Sequence, residues 1–159
     1  MATLILPLME AMTHWPPQGS LIGLDLGTKT IGVATSDPQR RLATAVETIR
    51  RSTFTADAAR LLTLAGERRA VGFVLGLPLN MDGTEGPRAQ STRAFARNLT
   101  KLTDTVIALW DERLSTAAVE RELIALDTSR AKRARDIDMH AAVYILQGAL
   151  DRLTQAARS

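Results

Sequence analysis

Residues 21–37, "LIGLDLGTKTIGVATSD", constrain the fold more than any other part of this chain. Two apolar runs, 21–26 and 31–35, are separated only by "GTKT". A link that short joins antiparallel strands, because a parallel return needs a crossover of a dozen residues or more. The sheet therefore starts as a hairpin. "ATAVETI" (43–49) alternates and predicts a third strand, and apolar residues at Ala58, Leu61, Leu62 and Ala65 predict a helix over Thr55–Arg68. "AVGFVLGLP" (70–78) and "TVIALW" (105–110) are continuous apolar runs of the kind buried in a sheet centre. Helices are predicted from Pro87 to about Leu102, from Ser115 or Thr116 to about Leu126, and from about Asp138 to Leu153. The order βββαβαβαα implies an α/β fold, a mixed sheet with helices on its faces. Residues 1–20 read as an N-terminal extension closed by "WPPQGS", and 21–155 as one domain.

Three carboxylate positions stand out against this pattern. Asp25 lies inside the first apolar strand, where an unpaired charge is costly. It is either a turn-capping residue or half of a site. Asp111 and Glu112 follow a central strand, at the sheet end where α/β proteins bind ligands. Adjacent strand residues point to opposite faces, so only one of the two reaches a given site. Asp138 shares a helical register with Ala141, Ala142, Ile145 and Ala149, and reads either as an N-cap or as a carboxylate leading a buried face. Like charges brought together raise one another's pKa, and a divalent cation removes that penalty. An oxygen-only donor set favours Mg²⁺ or Mn²⁺. Such a site suits phosphodiester hydrolysis.

Composition narrows the alternatives. The chain has 159 residues, 45% of them hydrophobic and 23% charged, as in globular domains. No apolar run is long enough to span a membrane, so no membrane partner is expected. Without cysteine there is no thiolate site, and with two histidines a His-based centre is not expected; His140 reads as a surface residue. The apolar start is interrupted by Pro7 and lacks the basic segment of a signal peptide, which makes a cytoplasmic location the expectation. Aromatic residues make up 4% of the chain, too few for an extended base-stacking platform.

"DLGTKTIGVATSD" also resembles the first phosphate loop of the actin, Hsp70 and sugar-kinase ATPases, but no second Asp-x-Gly-Thr is present. Four blocks in order, "LIGLDLGTKTIGVATSD", "GLPLNMDGTEGPRAQSTRAFARNL", "WDERLSTAAVERELI" and "DIDMHAAVYILQGALD", resemble the YqgF/RuvX family of ribonuclease H-like proteins. That family is described as pre-16S rRNA nucleases and Holliday-junction-resolvase homologues. The resemblance implies a ribonuclease H-like fold with a five-stranded mixed sheet. It implies catalytic and metal-binding roles for Asp25, Glu112 and Asp138, with Glu112 favoured over Asp111 as the inward ligand. The expected function is a metal-dependent endonuclease in 5′-end maturation of pre-16S rRNA. A Holliday junction resolvase, a non-cutting nucleic-acid-binding module and, last, an ATPase are the alternatives. Nucleic acid, and with it ribosomal precursor particles, would be the partner of a monomer or homodimer.

Lys29, Asn80, Arg88, Arg93, Arg113 and Arg133 are the substrate-binding candidates, each weighed against a solvated side chain or a structural turn. With Thr28, Lys29 occupies the hairpin turn. Asn80 and Gly83 form a second turn, and Arg133 falls in the basic stretch "DTSRAKRARDI", read as a mobile loop. Of the basic residues, 17 are Arg and 3 are Lys, and Arg offers the planar fork that matches phosphate.

Overall fold

The computed structural model describes residues 4–114 and 130–158, with side chains described for 4–114 and 140–157. The predicted helix from Ser115 or Thr116 to Leu126 lies outside the described residues. The described elements are β1 (Ile5–Pro7), α1 (Leu8–Ala11), β2 (Leu21–Leu26), β3 (Thr30–Ser36), β4 (Ala43–Arg50), α2 (Phe54–Glu67), β5 (Gly72–Leu77), α3 (Pro87–Leu99) and β6 (Ile107–Asp111). A 3₁₀ turn (Glu112–Leu114) follows β6, and α4 (Arg130–Arg158) closes the chain. They form one sheet in the order β1-β6-β5-β2-β3-β4. β2–β3 and β3–β4 are antiparallel, while β5 and β6 add to β2 in parallel.

Two expectations are corrected. The sheet has six strands rather than five, because part of the extension joins it: Ile5 pairs with Ile107, Leu6 with Ala108 and Pro7 with Leu109. Pro7, which looked like an interruption, is tolerated because β1 is an edge strand. Trp15 fastens the segment, donating from Nε1 to Val106 O at 3.2 Å while its ring covers Gly72, where an added Cβ would lie 2.4 Å from the indole. The second correction concerns the basic stretch. Residues from Arg130 onward are helical, so Arg133 and Asp138 are interior positions of α4, and the N-cap reading of Asp138 falls. Ala, Arg and Lys are strong helix formers, and neither Gly nor Pro interrupts 130–147.

Strand alternation sends side chains to two layers. Ile22, Leu24, Phe73 and Leu75 pack with Leu61 of α2 and Phe95 of α3. Leu21, Val74 and Ala108 pack with Ala142, Ile145, Leu146 and Ala149 of α4. Gly23 lets α4 lie on the sheet, since a Cβ there would come 2.6 Å from Leu146 Cβ.

Candidate acidic site on the α4 face

Asp25 is two residues beyond Gly23 and so points to the α4 face; it is 2% exposed. β2 and β5 pair at Leu24 and Leu75, so Asp25 stands level with Gly76 on the same face. The chain leaves β6 at Asp111 and tightens into the 3₁₀ turn, which folds Glu112 inward to 9% exposure. Its carboxylate lies over Gly76: a Cβ at that glycine would be 2.6 Å from Glu112 Oε1 and 2.6 Å from Ile145 Cδ1 of α4. Two buried carboxylates therefore stand at the C-terminal ends of β2 and β6, the parallel strands on either side of β5, on one face.

α4 runs antiparallel to β2. Its C-terminal residues Leu153, Thr154 and Ala157 line a groove with Trp15, Pro16, Gln39 and Arg40, at the end of the sheet where β2 begins. Further up, the Ala142 carbonyl approaches Gly23. Asp138 lies four helical residues before Ala142, about 6 Å further towards the Asp25 end. Among the described side chains no three carboxylates or histidines converge, and the Asp138 side chain is outside that set.

A cross-strand row marks the level of Asp25. Trp110 pairs with Gly76, and Asp25 with Gly32, which pairs in turn with Thr48. Trp110 Nε1 and Thr48 Oγ1 are the two buried side-chain polar atoms without a hydrogen-bond partner among the described residues. Both flank the carboxylate on the α4 face, separated from it by glycines. Leaving such a group unsatisfied costs roughly 1–3 kcal/mol, which a ligand or its water would offset.

Asp111 has a different role. Its carboxylate binds Arg113 in a fork, with Nη2–Oδ2 at 2.8 Å and Nε–Oδ1 at 3.1 Å, and it also accepts from the Arg113 amide at 2.9 Å. The Arg113 side chain holds the Asp111 carboxyl below its ordinary pKa, against an opposing effect of burial. Arg113 also donates from Nη1 to Met81 O at 3.2 Å, tying the 3₁₀ turn to the loop after β5. In that loop Asn80 Nδ2 donates to Thr84 Oγ1 at 2.9 Å, and Gly83 takes φ +89°, a left-handed turn. Asn80 thus shapes the loop. Arg93 is paired with Glu85 at 2.6 Å. Lys29 and Thr28 are exposed in the hairpin turn, Arg88 donates from Nη2 to Leu26 O at 3.4 Å, and His140 is exposed. Sequence reasoning missed Arg51, whose Nη1 donates to Gly27 O at 2.6 Å. The signal available was its position at the end of β4, beside the hairpin turn.

A model of the RuvX family, described as Holliday junction resolvase, matches residues 19–152. The chain belongs to the RuvX family. A relative from Nitrobacter winogradskyi, named "Putative pre-16S rRNA nuclease", is 77% identical over 98% of this chain and 95% of its own length. One of the same name from Rhodopseudomonas palustris (strain TIE-1) is 76% identical over 100% of this chain and 99% of its own. Among solved structures, Thermus thermophilus RuvC in complex with a Holliday junction substrate superposes with TM-score 0.53 at 10% identity, covering 86% of this chain and 96% of that one. The yeast mitochondrial Holliday junction resolvase gives TM-score 0.54 at 10% identity, covering 95% of this chain and 86% of that one. At that identity the likeness concerns the fold, which is ribonuclease H-like.

Proposed function

We propose that this RuvX protein is a divalent-metal-dependent nuclease that hydrolyses phosphodiester bonds in 5′-end maturation of pre-16S rRNA. The observation that carries the reading is the placement of Glu112 over Gly76, level with Asp25. Asp25 and Glu112 would hold Mg²⁺ or Mn²⁺ together with Asp138 of α4. Buried oxygen donors without a described thiolate or imidazole fit a hard cation. Bound there, the metal would supply an activated water and a counter-charge for the leaving oxygen. The protein's own share is to fix the carboxylates on a rigid sheet end and to bring the nucleic-acid backbone against them. The names of the close relatives support pre-16S rRNA as substrate, and ribosomal precursor particles in the cytoplasm are the setting this reading proposes.

The family model's description favours a second reading, a Holliday junction resolvase acting on DNA. A symmetric junction would call for a homodimer, whereas an RNA end can be cut by a monomer. The two readings are separated by offering labelled pre-16S 5′-end RNA and a four-way DNA junction side by side, with Mg²⁺, with Mn²⁺ and with EDTA. Preferential cleavage of the RNA that EDTA and Asp25→Asn both abolish is expected. Binding without cutting would leave a non-catalytic module, and ATP binding by calorimetry would reopen the ATPase alternative.

A further inference from the structure

The hairpin turn that follows Asp25 is surrounded by three cations that form no ion pair with a described residue. Arg51 Nη1 donates to Gly27 O at 2.6 Å, and the Arg51 amide donates to Lys29 O at 2.8 Å. From the other side Arg88 Nη2 reaches Leu26 O at 3.4 Å. Lys29 is exposed at the tip of the turn. Four ion pairs among the described residues engage Arg60, Arg68, Arg93 and Arg113, and none involves Lys29, Arg51 or Arg88. A guanidinium bound to a carbonyl keeps its full charge and, with one of its five donors used, has the rest to offer. Arg51 is also held in place, its guanidinium 5.8 Å from the centre of the Phe95 ring. Three cations around one short turn repel each other, and an anion between them removes that repulsion.

We propose that Arg51, Arg88 and Lys29 form a cradle for one phosphodiester group of the substrate strand, at the same end of the sheet as the acidic site and on the α3 side of the hairpin turn. Leu26 and Gly27, which anchor the two guanidinium groups, directly follow Asp25. A strand gripped here passes the carboxylate end of β2. Two forks approaching from α3 and from the end of β4 suit a tetrahedral phosphate with several acceptor oxygens. The cradle rests on the nuclease reading and adds Arg51, which the hairpin motif does not contain. It also divides the cations at this end of the sheet: Arg93 and Arg113 brace the protein, while these three face the substrate.

The test measures affinity for the same RNA and junction against salt concentration, in an Asp25→Asn background that does not cut. Neutralising a phosphate contact lowers the slope of log K against log salt by roughly 0.7–0.9. Arg51→Gln and Arg88→Gln are each expected to lower the slope by that amount, and Arg51→Lys to retain it. Arg41→Gln removes the same charge from the exposed turn at the other end of the sheet and should leave the slope unchanged. Unchanged slopes in both Gln variants overturn the cradle. So does weaker binding at an unchanged slope, which would show that Arg51 only braces the turn. If the cradle alone is wrong, the wild type still cuts; if the wild type neither binds nor cuts, the nuclease reading falls with it.

Discussion

Asp111 and Glu112 are adjacent, yet one is a brace and the other is buried over the sheet. Arg113 decides this: it takes both Asp111 oxygens in a fork and bonds the Met81 carbonyl, so the strand ends and Glu112 turns inward. Gly76 is the matching vacancy on the sheet. In Gly76→Ala the new Cβ would stand 2.6 Å from Glu112 Oε1, with Ile145 closing the other side. The carboxylate must shift by about 1 Å, and misplacement of that size costs roughly 10²-fold in rate. Cleavage by Gly76→Ala should fall by that order while RNA affinity at fixed salt stays near wild type, which a single-turnover assay beside a binding curve would check. Strand alternation in the sequence showed that only one of the two carboxylates could face the site. It could not show which, because the answer depends on Arg113 reaching back and on a 3₁₀ turn that has no distinctive composition.

The elements were legible where periodicity and burial coincide. β2, β3, β4, α2, β5 and β6 fall within a few residues of where the apolar pattern places them. The two failures share a cause, since each was decided by a tertiary or propensity effect set against a strong local signal. Pro7 looked like a break, yet the sheet edge accepts it; the charges of 130–135 looked like a loop, yet they are good helix formers. The segment before residue 19 lies outside the family match, while the Rhodopseudomonas palustris relative aligns with it in full. Its grip on the domain depends on Trp15, which is 6% exposed and covers Gly72. Trp15→Ala is expected to cost about 3–5 kcal/mol, seen as a lower urea midpoint. Because the groove at Trp15 is at the far end of α4 from Asp25, cleavage per folded molecule should be retained. A proportional loss of activity in protein that is still fully folded would show that β1 does more than cover an edge.

At the scale of the whole molecule, the proposed metal site is a product of tertiary folding. Asp25 comes from the first hairpin, Glu112 from the turn after β6, and Asp138 from the closing helix. The unfolded chain cannot bring them together, so a metal that binds all three binds only the native state. Binding of that kind stabilises by about 2.7 kcal/mol when the ligand stands at a hundred times its Kd. For a domain of this size each kcal/mol moves Tm by about 2–4 °C, so saturating Mn²⁺ or Mg²⁺ should raise Tm by roughly 5–10 °C. The size of the rise in substituted proteins then assigns the ligands without any cleavage assay. Asp25→Asn, Glu112→Gln and Asp138→Asn should each remove most of it. Asp111→Asn should keep it, because that carboxylate is already committed to Arg113. If Asp111→Asn abolishes the shift and Glu112→Gln preserves it, Arg113 releases its partner when metal binds, and the ligand set must be redrawn with Asp111 in it.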